Sequence, residues 1–288
     1  MPRKTSSHPP LPILPGTLWI LIFMLLPLIF ILTISLLTRD PYGDYSLPLT
    51  SENYTRLFGF GTFGFDPIYL TILLRTITLA ITSTALTILL GVPVAFCIAS
   101  LPKSLRAAGL LLIAIPFWTN LLIRTYAWQI LLGPDGWVTT TSTFLFHTNP
   151  QGLYPSYFAI MLGLLSDYLP YLILPVYASV EKINYSLIEA AQDLGASRFQ
   201  TFRHATLPQI LPGILAGGTL VLIPALGQFV IPDLLGGSKA ILLGNITAQQ
   251  FGASRDWPFG AATAALQLLV AFIFIRFIRN ESSQRAFA

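Results

Sequence analysis

The chain has 288 residues, of which 54% are hydrophobic and 10% charged, and its formal net charge is +4. Ordinary soluble domains are about 25% charged, so this composition excludes a soluble globular protein and indicates a membrane protein. The small positive charge does not require a nucleic-acid partner, because the basic residues concentrate in short tails and loops that can set membrane topology.

Six apolar segments are long enough to cross the hydrocarbon core of a bilayer, which takes roughly 20 helical residues. They comprise residues 13–37, 68–100, 107–132, 156–180, 213–231 and 257–278. Residues 1–12 are basic, broken by proline and without a signal-peptide cleavage pattern, so we expect a retained tail. The predicted fold class is all-α: a polytopic membrane protein with six transmembrane helices, a membrane domain at 13–280 and a C-terminal tail at 281–288.

The distribution of Lys and Arg predicts the orientation. They are most frequent before the first span, after the second and fourth spans, and at the end of the last span. Because cytoplasmic loops carry the excess of Lys and Arg, both termini and the loop at 181–212 are predicted to be cytoplasmic. The outer loops are net acidic, and the longest of them, 39–67, is either a docking surface or a solvated connection.

Three charged side chains stand out inside the membrane, away from the ends of the predicted spans: Arg75, Arg124 and Asp167. At 1.5 Å per residue they lie roughly 10, 12 and 16 Å from the outer ends of their helices, and so at similar depth. A charge in the membrane is costly unless it is paired or faces water. We expect either an ion pair that fixes helix packing, which we favour for the two arginines, or a path for a charged solute, with Asp167 as the candidate.

The loop at 181–212 predicts two short helices, the first beginning with an S-x-x-E capping box formed by Ser186 and Glu189. Its side chains separate into an apolar face and an acidic edge. The apolar face comprises Leu187, Ala190, Ala191 and Leu194, and the acidic edge comprises Glu189 and Asp193. Gly195 then takes the position of the left-handed residue that ends many helices.

The second predicted helix of this loop is capped by Ser197 and ends at Pro208. Helices this short are not stable alone in water, so the pair must lie on lipid headgroups or in a groove of a soluble partner. Interfacial helices are usually rich in Lys and Arg on the polar face, whereas this one is acidic. The acidic edge therefore favours a soluble partner.

Several kinds of chemistry find no support in the sequence. There is no G-x-x-x-x-G-K-[ST] phosphate-binding loop, so the chain is not itself an ATPase. His8, His147 and His204 are scattered, and Cys97 is expected to be a small buried hydrophobe. We therefore predict a non-catalytic protein with no cofactor and no metal site.

The segment EAAQDLGASRFQTFRHATLP at 189–208 resembles the EAA loop of bacterial ABC-importer permeases, with Glu-Ala-Ala, a Gly four residues later and a closing Leu-Pro. The family usually has Ile where this chain has Ala205, which predicts looser local packing. Four further segments are similar to the first permease subunit of spermidine/putrescine importers. They are PFWTNLLIRTYAW, LPYLILPVYASVEKI, DLLGGSK and RDWPFGAAT.

This resemblance implies a type I ABC-importer permease fold in the bacterial inner membrane. The implied partners are a second permease subunit, a cytoplasmic ATPase dimer, a periplasmic polyamine-binding protein and the lipid bilayer. The loop would be the coupling element seated in a cleft of one ATPase subunit. The coupling residues that the resemblance implies are Glu189, Ala190, Ala191, Asp193, Gly195, Leu207 and Pro208.

A polyamine carries protonated amines on a methylene chain, so its path should offer carboxylates for the charges and aromatic rings for cation-π contact. The candidates from the fourth span are Asp167, Tyr168 and Tyr171, and those from the third are Trp118, Tyr126 and Trp128. Arg75 and Arg124 are the expected charge partners, and Phe117, Leu121, Arg124 and Trp128 are predicted to share one helix face.

Two other functions stay open: an ABC importer for a different cationic or organic solute, and an ion-coupled secondary transporter. The latter predicts internal repeats, and the two halves of the chain show none.

Overall fold

The computed structural model describes residues 13–40, 43–61, 64–146, 153–237 and 240–286. The predicted tail at 1–12, which contains His8, and His147 lie outside these ranges. The chain divides into two compact units, one formed by residues 1–67 and 247–266 and the other by residues 68–246 and 267–288.

The described chain is mostly helical, with two small antiparallel hairpins. The helices are α1 Ile13–Ser35, α2 Glu52–Leu57, α3 Ile68–Ser100, α4 Lys103–Trp118, α5 Leu121–Leu132, α6 Trp137–Phe146, α7 Tyr157–Val180, α8 Tyr185–Asp193, α9 Arg198–Thr201, α10 Leu207–Gly227, α11 Val230–Gly236, α12 Leu243–Phe251 and α13 Trp257–Ala286. The strands are β1 Leu37–Arg39, β2 Tyr45–Leu49, β3 Phe60–Gly61 and β4 Gly64–Phe65, paired β1 with β2 and β3 with β4.

The helices agree with the predicted membrane spans in number and, for most, in position. Within the described ranges, five helices are long and apolar enough to cross a bilayer, and a sixth crossing results if the bent pair α4 and α5 forms one span. Helix α3 has the predicted bounds, and α7 begins one residue late. Cys97 is exposed on α3. Its predicted burial is wrong, because the outward face of a membrane helix is apolar too.

The prediction of one continuous helix over 107–132 is wrong. Helix α4 ends at Trp118, α5 starts at Leu121, and the two axes are bent by 93°. Thr119 and Asn120 have extended backbone, and the Asn120 side chain accepts a hydrogen bond from Leu122 N, which caps a new helix. Phe117 therefore does not share a helix face with Leu121, Arg124 and Trp128.

The predicted end of a helix at Pro208 is also wrong. Residues Arg198–Gly227 form one long helical segment through a π-helical turn at Phe202–Thr206, after which Leu207 N bonds to Phe202 O. This turn restarts the α-helical pattern just before Pro208, so the proline lies at the start of α10. Its missing N–H costs little in the first turn of a helix.

The core of the larger unit is formed by α3, α7 and α10, which pack on one another. Buried side chains from α7 and α10 meet there, among them Leu172, Val176 and Val221. Small residues permit the close approach, as is common between membrane helices. A Cβ added at Gly217 of α10 would lie 2.9 Å from Leu172 Cδ1 and 3.0 Å from Leu172 Cα.

Replacing Gly217 by Ala is expected to destabilise this packing by about 1–3 kcal/mol, because the added methyl meets the backbone of α7, which cannot turn aside. The neighbouring Gly218→Ala is the matched control, since its Cβ would meet only Ile88 Cδ1 at 3.6 Å and Thr84 Cγ2 at 3.9 Å. Thermal unfolding in detergent compares the two variants. Equal melting temperatures would contradict this account of the helix contact.

The smaller unit contains α1, both hairpins, α2 and the start of α13. Asn53 Nδ2 donates to Ser35 O at 3.0 Å and to Leu37 O at 2.9 Å, which joins α2 to the end of α1. The segment 39–67, which the sequence predicted only as a long loop, therefore contains ordered elements in its described part. Asp256, just before α13, is 1% exposed and pairs with Arg56 at 2.9 Å.

Candidate functional site

Two of the three predicted intramembrane charges form an ion pair. Arg124 Nη2 on α5 donates to Asp167 Oδ1 on α7. The Arg124 side chain is 17% exposed and that of Asp167 is 16% exposed, so neither charge is fully enclosed by this chain. A pair in such a place satisfies the rule that a membrane charge is paired or faces water.

The same arginine also holds the bend between α4 and α5. Arg124 Nη1 donates to Pro116 O at 2.5 Å, and Thr119 Oγ1 accepts from the same nitrogen at 3.4 Å. Pro116 O further accepts from Thr119 Oγ1 at 2.8 Å. Because these contacts satisfy a carbonyl at the end of a helix, Arg124 joins the bend to Asp167 of α7.

Aromatic rings lie beside the ion pair. Phe117 and Tyr171 are in edge-to-face contact with ring centroids 4.8 Å apart, and both are exposed in this chain. Tyr168 lies 6.3 Å from Tyr171 but is buried, and its hydroxyl accepts from Gln228 Nε2 at 3.3 Å. The geometry therefore places the carboxylate of Asp167, paired with Arg124, next to an exposed aromatic pair.

The other predicted aromatic residues differ in their contacts with this part of α7. Trp128 Nε1 donates to Ser166 Oγ at 2.9 Å, one residue before Asp167. Trp118 and Tyr126 are exposed, and no described contact joins either of them to the ion pair. Asp167 is paired with Arg124. The assignment of Arg75 as a charge partner within the membrane stays a prediction.

Sequence reasoning did not identify Gln228 or Ser166. Gln228 lies in the break between α10 and α11, where its Oε1 accepts from Phe229 N at 3.1 Å and Val230 N at 3.2 Å. Adjacent residues of α7 are thus linked to two different helix breaks, Asp167 through Arg124 and Tyr168 through Gln228. For Gln228, the available signal was a Gln within an apolar segment, directly before Phe229.

The loop at 181–212 forms the predicted pair of short helices, α8 and α9, with one change at the start. The predicted capping box of Ser186 and Glu189 is wrong: Asn184 is the cap, and its Oδ1 accepts from Ser186 N at 3.1 Å. Asn caps as well as Ser does, and it comes two residues earlier. Ser186 therefore lies inside the first turn.

The turn between the two helices agrees with the sequence prediction. Gly195 has φ +81°, the left-handed conformation, and Ala196 N bonds back to Ala191 O at 3.1 Å. Ser197 caps α9 in a reciprocal capping box with Gln200.

The apolar side chains of this loop are left uncovered by the chain itself. Leu194 is 90% exposed and Phe199 is 70% exposed, and Leu187 and Tyr185 are also exposed. The predicted acidic residues Glu189 and Asp193 are exposed as well. Exposed apolar residues this close together indicate an interaction surface, which we call the α8–α9 surface.

The ends of the loop are fixed to the membrane helices. Asn184 N donates to Gln209 Oε1 at 2.8 Å, and Gln209 Nε2 donates to Ala205 O at 2.8 Å. Leu207 packs against the core, whereas Pro208 is exposed. Short, hydrogen-bonded connections therefore link the α8–α9 surface to α10. No described residues form a group of three or more His, Cys, Asp or Glu side chains that could hold a metal ion.

A family model matches residues 88–286, and the chain belongs to this family, the binding-protein-dependent transport system inner membrane component. It is thus a membrane permease subunit of an ABC importer. The chain is 38% identical over 263 residues to the spermidine/putrescine transport system permease protein PotB of Haemophilus influenzae, covering 90% of each chain. It is 40% identical to PotB of Escherichia coli (strain K12), covering 88% of this chain and 90% of that one.

Solved structures show the same fold. In a crystal structure of a bacterial alginate ABC transporter in complex with a periplasmic protein carrying an alginate pentasaccharide, one chain is 20% identical to this one. The TM-score is 0.64, and the match covers 94% of this chain and 92% of the other. The predicted permease fold and the predicted location in the inner membrane are therefore confirmed.

Proposed function

We propose that this chain forms half of the path by which polyamines, spermidine or putrescine, cross the inner membrane in a complex driven by ATP. The observation that carries the substrate class is the 38% identity to PotB over 90% of both chains. The position of Asp167 beside exposed aromatic rings supports this substrate class, since a carboxylate next to aromatic rings suits a protonated amine.

The proposed complex contains a second permease, an ATPase dimer and a periplasmic binding protein, with both termini of this chain in the cytoplasm. The α8–α9 surface docks in a cleft of one ATPase subunit, through Glu189, Ala190, Ala191 and Asp193 together with the exposed Leu194. ATP-driven closure of the ATPase dimer moves this surface, and α10 transmits the movement to the core helices. Selection of the substrate at high affinity belongs to the binding protein.

The test is reconstitution of the complete complex in proteoliposomes, with radiolabelled spermidine outside and ATP inside. We expect uptake that requires ATP, the ATPase subunits and the binding protein. An excess of unlabelled putrescine should compete, whereas an excess of a neutral sugar should not. Uptake driven by an ion gradient in the absence of ATP would instead support a secondary transporter. ATP-dependent uptake of a different solute, with none of spermidine, would refute the polyamine assignment.

A further inference from the structure

The carboxylate of Asp167 is already occupied in this structure. Arg124 donates to its Oδ1 and offsets its charge, so a passing cation gains little attraction from Asp167 while the guanidinium remains there. The contact must therefore change whenever a cation uses this carboxylate.

We propose that Arg124 is an exchange partner: an organic cation replaces the Arg124 guanidinium at Asp167 during passage, and Arg124 returns when the cation has left. This inference rests on the proposed function, because it assumes a cationic substrate. It makes Arg124 a specificity-determining residue, since a neutral or anionic solute has nothing to offer Asp167 in place of the guanidinium.

Exchange keeps Asp167 paired both before and after the cation arrives. Removal of the arginine without a replacement would leave a buried carboxylate alone, which is strongly unfavourable. A protonated amine supplies the missing positive charge. The exposed rings of Phe117 and Tyr171, 4.8 Å apart, lie beside the site and can receive the methylene chain.

The displaced guanidinium has acceptors close by. Arg124 Nη1 already contacts Pro116 O at 2.5 Å and Thr119 Oγ1 at 3.4 Å, and Thr119 is exposed. These groups belong to the bend between α4 and α5, so the arginine can stay bound there after leaving Asp167. Exchange thereby uncouples the bend from α7, and the presence of the cation changes how these two elements are held together.

The experiment measures equilibrium binding of radiolabelled spermidine to the assembled permease–ATPase complex in detergent, without the binding protein. In the wild-type complex the arginine competes for Asp167, which lowers the apparent affinity by the fraction of time that the carboxylate is free. Arg124→Gln removes the competitor, and we expect it to tighten binding by about tenfold or more, the equivalent of about 1.4 kcal/mol.

Three further variants make the result specific. Arg124→Lys keeps the competing charge and should bind spermidine as weakly as the wild type. The double variant Arg124→Gln with Asp167→Asn lacks both charges and should lose the gain. Arg276→Gln is the matched control, an exposed arginine on α13 whose replacement should leave binding unchanged.

Each alternative outcome overturns the exchange. Unchanged or weaker binding by Arg124→Gln shows that the arginine does not compete with the cation. Retention of the gain in the double variant shows that Asp167 is not the group that binds. If Arg124→Gln assembles poorly, because its Asp167 is left unpaired, spermidine added during purification should restore assembly, and failure of spermidine to do so shows that the amine cannot replace the guanidinium. If wild-type proteoliposomes take up no spermidine, the proposed function fails; if they do, these outcomes refute the exchange alone.

Discussion

Replacement of Gly195 by Val is expected to reduce transport by about tenfold or more while leaving the membrane helices folded. Gly195 has φ +81°, which a β-branched residue adopts only at considerable cost in backbone strain. Among the described residues other than its two chain neighbours, none has an atom within 4 Å of an added Cβ, so the effect arises from the backbone. Strain at this turn reorients α8 relative to α9 and displaces the α8–α9 surface that the proposed ATPase contact requires.

The measurements are ATP hydrolysis stimulated by the binding protein and spermidine uptake, both in proteoliposomes. We expect Gly195→Val to lose at least about tenfold in uptake, since a strained turn of 1–3 kcal/mol shifts the docking equilibrium by that order. Gly195→Asn is the matched control, because Asn tolerates the left-handed region far better. Equal uptake by the Val and Asn variants, with normal assembly, would refute the role of this turn.

Replacement of Asp256 by Ala is expected to unfold the segment around α2 locally. Asp256 Oδ2 accepts from Arg56 Nη1 at 2.9 Å, and its Oδ1 accepts from Phe259 N at 3.2 Å, which caps α13. Loss of a hydrogen bond to a charged group costs about 1.5–3 kcal/mol, and loss of a cap costs about 1 kcal/mol. The guanidinium of Arg56, 4.0 Å from the Phe259 ring centroid, would also lose its counter-charge.

Asp256→Asn separates the contribution of the negative charge from that of the helix cap. Asn keeps the cap and removes the charge, so its destabilisation should be smaller than that of Ala. A second arginine, Arg39, has its Nη1 3.9 Å from Asp256 Oδ2. The side chains of Arg39 and Arg56 are 51% and 42% exposed and can turn to water, which further limits the loss of stability when the charge of Asp256 is removed. Limited proteolysis of the purified protein measures opening of residues 43–61. Asp135→Asn, at an exposed aspartate, is the control, and equal cleavage rates for all three variants would contradict the proposed role of Asp256.

Much of the candidate site was predictable because its signals are local. The left-handed Gly195 and the cap Ser197 follow from residues within a few positions of the chain, as does the apolar stripe of α8. The error at Ser186 has the same origin, since Asn184 is an equally good cap two residues earlier and only the course of the chain selects between them. The bend at Thr119 and Asn120 was missed because apolar residues continue on both sides of it.

The sequence by itself determined the membrane class, the positions of most spans and the two-helix loop, since these depend on composition and on residues near one another along the chain. Only the tertiary structure decided which charges meet. Arg124 and Asp167 are 43 residues apart, and Arg56 and Asp256 are 200 apart. Such contacts depend on how helices and loops pack, and an arginine near the right depth looks the same in the sequence whether or not it reaches the carboxylate. That packing made Arg124, rather than Arg75, the observed partner of Asp167.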